Sequence, residues 1–134
     1  MRWAILLGLG QNHTGVRRMV SETHPEPIDP EHADRAARTL VDVDLAARTA
    51  ALFKALADPT RVRIISALMD TELCVGDLTA LLGMEQSAVS HQLRTMREWR
   101  LVRRRRHGRL MYYRLDDTHI RDLLLRGLEH IQHD

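Results

Sequence analysis

Residues 75–115 read VGDLTALLGMEQSAVSHQLRTMREWRLVRRRRHGRLMYYRL, and the pattern changes twice along them. Val75 to Leu82 has the look of a short helix, and Gly83 stands just past its end, where a left-handed cap requires no Cβ. A second helix follows, with Gln86 or Ser87 able to cap it. Val89, Leu93 and Met96 supply its apolar face, while Ser90, His91, Arg94 and Arg97 line the other. Two short helices joined through a tight glycine turn make a helix-turn-helix. After Trp99 the period drops to two: Leu101 to Arg106, a His107-Gly108 turn, then Arg109 to Leu115, which predicts a β-hairpin. A helix-turn-helix running directly into a hairpin predicts a winged helix, mainly α with a β-hairpin wing.

Upstream, Leu45, Thr49, Leu52, Phe53 and Leu56 recur at helical spacing from Asp44 to Ala57, and Asp58-Pro59 interrupts them. Thr60 can cap the next helix, whose buried stripe is Val62, Ile64, Ile65 and Leu68. A weaker amphipathic stretch covers Ala33 to Val43. Pro25, Pro27 and Pro30 among acids and histidines make residues 19–32 a flexible arm by composition. Downstream, a final helix is expected from Asp117 to His133, with Ile120, Leu123, Leu124, Leu128 and Ile131 in one stripe. Gly127 in its middle costs about 1 kcal/mol relative to alanine unless close helix approach offsets it, a hint of a homodimer interface. The working division is therefore an arm over 19–32 and one winged-helix domain over 33–134.

The chain has 134 residues, enough for one domain with an apolar core. Its single cysteine, Cys74, excludes an intramolecular disulfide framework and fits a reducing, cytoplasmic setting. The apolar run Trp3 to Leu9 is far short of the roughly 20 residues that span a bilayer, so no membrane role is expected. Met19 is the expected start of translation, with residues 1–18 a mis-assigned start or disordered.

The net charge of +2 is unevenly spread. Arg94 to Arg109 holds eight arginines against one acid, Glu98, which leaves the rest of the chain net acidic. An acidic body with one basic segment is the charge footprint of a protein that reads nucleic acid. Ser87, Ser90, His91, Gln92, Arg94 and Arg97 can reach base edges and phosphates in a major groove, and Arg105, Arg106 and Arg109 of the hairpin can contact phosphates. Strand alternation puts roughly half of the arginines at 103–106 on each face. No glycine-rich phosphate loop, nucleophile elbow or catalytic dyad is present, so neither an enzyme nor a small-molecule substrate is expected. A zinc buffer would differ from a regulator in keeping its DNA affinity on loading.

Asp117, His119, His130 and His133 have the oxygen and nitrogen donors that zinc prefers. His119 and His130 are eleven residues apart, about 20° past three full turns, so both point to one helix face. They are also about 16 Å apart along the axis, too far to share one ion within a straight helix. The geometry resolves if an antiparallel second copy brings its His130 and His133 against Asp117 and His119, which gives two symmetric sites per dimer. Nitrogen-rich four-donor sites suit zinc or cobalt, nickel usually takes more donors, and thiophilic ions want thiolates.

Glu72-Leu73-Cys74-Val75-Gly76-Asp77-Leu78, Ala88-Val89-Ser90-His91-Gln92-Leu93-Arg94, Tyr112-Tyr113 and the Asp117-x-His119 to His130-x-x-His133 set together resemble the ArsR/SmtB metalloregulators over roughly residues 44–134. The resemblance implies a homodimer that represses metal efflux or sequestration genes by holding double-stranded operator DNA when metal-free. It implies that zinc acts as inducer at Asp117, His119, His130 and His133, with His130 hydrogen-bonding toward the backbone near Arg100. A second family site would combine Cys74 and Asp77 with arm donors, here only His24, His32 or nearby acids. Gly76 stands where arsenic- and cadmium-type sites need another cysteine. A winged-helix repressor sensing nickel, cobalt or a non-metal signal is the alternative expectation.

Overall fold

The structure is a computed structural model, and it describes residues 24–133. Residues 1–18, expected to be a mis-assigned start or disordered, and the first part of the expected arm lie outside those residues. The described chain divides into two compact units, 24–50 and 51–133, the division falling within a helix. Exposure gives the physical reason: after the buried Ala37, residues 38–51 are all exposed, and burial resumes at Leu52.

In the first unit, α1 spans Pro30–Ala37. Asp29 caps it by accepting the His32 amide at 3.1 Å, and Pro30 takes the first helical position, where a missing N–H costs nothing. The expected arm is therefore helical from Pro30 onward. Helix α2, Val43–Leu56, begins here, with the Asp42 carboxylate accepting the Leu45 amide at 2.7 Å.

In the second unit, α3 spans Pro59–Ala67. Its cap is Asp58, which accepts the Arg61 amide at 3.0 Å, and not Thr60 as the sequence suggested. With Pro59 pre-set for the first helical position, the residue before it becomes the cap. A two-residue strand β1, Leu73–Cys74, leads into α4, Val75–Leu82, which ends at Gly83 with φ +63°. Helix α5 covers Gln86–Glu98 and is preceded by Glu85, whose side chain makes no capping bond; neither Gln86 nor Ser87 takes that position.

The hairpin pairs β2, Val102–His107, with β3, Leu110–Leu115. His107 faces Leu110 across the ladder, so the loop is Gly108-Arg109, with Gly108 at φ +61°. Strand β1 adds to the other side of β3, giving a three-stranded antiparallel sheet in the order β1-β3-β2. Helix α6, Thr118–Gln132, closes the unit. Ile64, Leu78, Val89, Leu93, Met96 and Leu101 form the centre of the core and are 0% exposed. This is the winged helix expected from residues 75–115. No helix of the described residues is long and apolar enough to cross a membrane.

Candidate nucleic-acid interface and metal centre

Helix α5 is fixed from beneath by Val89, Leu93 and Met96, which leaves Ser87, Ser90, His91 and Arg94 exposed and Gln92 and Arg97 half-buried on its other side. Its far end is a Schellman closure: the Leu101 amide donates to the Met96 carbonyl at 2.8 Å and the Arg100 amide to Arg97 at 3.0 Å. Arg100 takes the left-handed position at φ 57°, where glycine is usual. Leu101 and Met96 are both fully buried and lock the junction between α5 and the wing. Beside it, the Arg61 guanidinium stacks on the Trp99 ring at 4.8 Å.

The wing divides its arginines by face. Residues directly opposite in an antiparallel pair share a face. Val102, Arg104 and Arg106 therefore share one with Leu115, Tyr113 and Met111, the side that carries the buried Val102 and Tyr113. Arg103 and Arg105 share the other with Arg114 and Tyr112. There, Arg103 Nε donates to Asp116 Oδ1 at 2.7 Å. Arg105 brings Nε to 2.7 Å and Nη2 to 2.6 Å of Glu72 Oε2, and its guanidinium lies 5.0 Å over the Tyr112 ring. The Arg105 guanidinium holds the Glu72 carboxyl below the usual carboxylate range, and Glu72 in turn raises Arg105. Asp116 likewise raises Arg103.

Arg105, expected among the phosphate contacts, is thus engaged by a carboxylate of the protein itself. Arg106 and the loop residue Arg109 remain exposed. Arg104, not singled out from the sequence, joins them, and among the described residues neither Arg104 nor Arg106 has a carboxylate within ion-pair distance.

The expected metal donors lie at the two ends of α6. Asp117 is its N-cap, with Oδ1 accepting the Ile120 amide at 3.1 Å, while Oδ2 lies 3.6 Å from His119 Nδ1. The Ile120 amide first, and then His119, hold the Asp117 carboxyl below its ordinary value. His130 and His133 line a shallow cleft with Arg126, Glu129 and Gln132 at the other end. Each pair is assembled and exposed, but among the described residues no group of three or more potential ligands comes together. The donor types and the remaining lone pair of Asp117 Oδ2 fit a divalent ion of borderline softness.

The second donor set is less assembled. Cys74 is buried at the start of α4, and Asp77 is exposed in its first turn. In the first unit, His24 is exposed and His32 Nδ1 lies 2.9 Å from Asp29. The stripe of α6 is also incomplete: Ile120 is buried and Leu124 packs on the core, but Ile131 is 74% exposed. A Cβ at Gly127 would meet no atom within 4 Å, so nothing within the described protomer accounts for that glycine.

Comparison with known proteins agrees with this architecture. The family model described as "Bacterial regulatory protein, arsR family" matches residues 58–104, from the cap of α3 into the first wing strand. Over 93 residues the chain is 48% identical to the transcriptional repressor SmtB homolog of Synechocystis sp., covering 69% of this chain and 70% of that one. It is 45% identical over 93 residues to the HTH-type transcriptional regulator NmtR of Mycobacterium tuberculosis, covering 69% and 78%. Among solved structures, the antimony-specific transcriptional repressor AntR matches with a TM-score of 0.66 at 35% identity, over 81% of this chain and 96% of that one. These relatives are transcriptional regulators, a non-enzymatic class. The helix-turn-helix, the basic wing and this degree of likeness make the chain a member of the ArsR/SmtB family of metal-sensing bacterial transcriptional repressors.

Proposed function

We propose that this chain is a cytoplasmic zinc-responsive repressor, which binds double-stranded operator DNA as a metal-free homodimer and releases it on zinc binding, derepressing metal efflux or sequestration genes. The observation that carries the reading is the placement of Asp117 and His119 at one end of α6 and His130 and His133 at the other, on a helix whose apolar stripe runs from the buried Ile120 to the exposed Ile131. An antiparallel second α6 would cover Ile131 and complete two four-donor sites, each from both protomers. Three imidazoles and a carboxylate favour zinc over thiophilic ions, and a closed tetrahedral set suits a regulatory site rather than a catalytic one. DNA would be held by Ser87, Ser90, His91, Gln92, Arg94 and Arg97 of α5, with Arg104, Arg106 and Arg109 on phosphates.

Full switching, from about 1:99 to 99:1, requires roughly 5.5 kcal/mol of differential zinc affinity between the two conformations. Fluorescence anisotropy on the protein's own upstream DNA tests the reading, first with chelator and then with buffered zinc, in the wild type and His130→Ala. Binding that persists in chelator and is weakened by zinc in the wild type alone supports it. Cobalt or nickel releasing the DNA where zinc does not would reassign the inducer.

A further inference from the structure

The four consecutive arginines of the wing are chemically alike but are placed in two environments, and the difference bears on how DNA is held. We infer that Glu72 acts as a positioning residue which withholds Arg105 from DNA, so that of the four consecutive arginines it is Arg104 and Arg106 that grip the phosphate backbone. The inference rests on the DNA-binding reading above and adds to it which charges are spent on phosphates.

Three contacts converge on Arg105: two nitrogens on one Glu72 oxygen, at 2.6 and 2.7 Å, and the Tyr112 ring beneath the guanidinium at 5.0 Å. Glu72 immediately precedes β1, and β1 is paired with β3, so the carboxylate is delivered by the sheet and not by a wandering loop. On the same face Asp116 holds Arg103, with its own amide bonded to the Leu101 carbonyl at 3.0 Å. These two carboxylates offset Arg103 and Arg105, while Arg114, on the same face, is exposed and among the described residues has no carboxylate within ion-pair distance. Arg104 and Arg106 alternate to the other face and, among the described residues, have no carboxylate within ion-pair distance.

An exposed ion pair is individually weak, about 0–1 kcal/mol, so a phosphate could compete for Arg105 if it approached that face. The arrangement therefore makes a quantitative statement about counterion release. Each phosphate neutralised by an arginine contributes about −0.9 to the slope of log affinity against log salt, whatever the sequence.

The test uses the full-length protein and a mixed-sequence duplex of about 30 base pairs, titrated over a range of salt, since this term is independent of sequence. Arg104→Ala and Arg106→Ala, each removing one phosphate contact per subunit of the bound dimer, should each flatten the slope by about 1.8, and Arg105→Ala should leave it at the wild-type value. Glu72→Gln, nearly isosteric, should steepen it by about 1.8 as Arg105 is freed in both subunits, and Glu72→Gln combined with Arg105→Ala should return it to wild type. That return separates a freed arginine from a general loss of negative charge. Circular dichroism melts confirm that each variant is folded. Arg105→Ala flattening the slope as much as Arg104→Ala overturns the inference, as does Glu72→Gln leaving it unchanged. Failure of the wild type to bind the duplex at low salt would instead remove the DNA-binding reading beneath it.

Discussion

Helices α5 and α6 carry the same signature, an apolar stripe at three- and four-residue spacing, and the fold completes only one of them. Val89, Leu93 and Met96 of α5 are all 0% exposed, whereas Ile120 is the one buried residue of α6 and its stripe runs out to Ile131 at 74% exposure. A stripe reports that a face needs covering; it does not report by what. In α5 the covering is the protomer's own core, which frees the polar side to be read by a partner. In α6 the stripe is covered at Ile120 and Leu124 and left bare at Ile131, with Asp117 and His119 at one end of the helix and His130 and His133 at the other.

This contrast can be broken most forcefully in α5. Leu93→Ala should cost about 2–5 kcal/mol, read as a lower urea midpoint with the slope unchanged, because the fully buried side chain leaves a cavity. Ile131→Glu should leave the fold of the protomer intact by far-UV circular dichroism. If a second copy covers α6, the wild-type melting temperature rises with protein concentration and that of Ile131→Glu does not. A loss of secondary structure on this change would show that α6 is completed within the protomer.

A smaller gain is expected at the end of α5. Arg100 holds a left-handed conformation that costs an L-residue about 1 kcal/mol or somewhat more, so Arg100→Gly should stabilise the protein by about 1 kcal/mol at most. The smallest effect is in acid. The Asp117 and Glu72 carboxyls are held below their unfolded values, so they contribute stability above the ordinary carboxylate range, and that contribution is lost as pH falls through the lowered folded values. Asp117→Asn can still cap α6 but no longer titrates. Its urea midpoint should therefore fall less than that of the wild type between neutral pH and about pH 3.

The sequence disclosed the winged helix because residues 75–115 switch period from 3.6 to 2 at a definite place, and Gly83 and Gly108 mark turns whose backbone they fit. Strand β1 escaped notice because two residues have no periodicity. The start of α3 was misplaced because Asp58 and Thr60 are both good caps, and only Pro59 at the first helical position decides between them. The division of the wing was half legible. Alternation shows that Arg103 and Arg105 share a face, but their partners, Glu72 at 33 residues' remove and Asp116 at 13, are brought there by sheet pairing. For the proposed metal donors the sequence offers a spacing, and the fold places Asp117 and His119 at one end of α6 and His130 and His133 at the other.

Subunit complementation tests that last point most directly. One variant, Asp117→Asn with His119→Gln, retains only the C-terminal pair; the other, His130→Gln with His133→Gln, retains only the N-terminal pair. Neither alone should compete with a chromogenic chelator for zinc. Refolded together, they should form heterodimers that each bind one zinc, because one complete set is restored across the interface. A mixture that competes no better than its components, or either variant binding as tightly as the wild type, would contradict a site shared between two copies of α6.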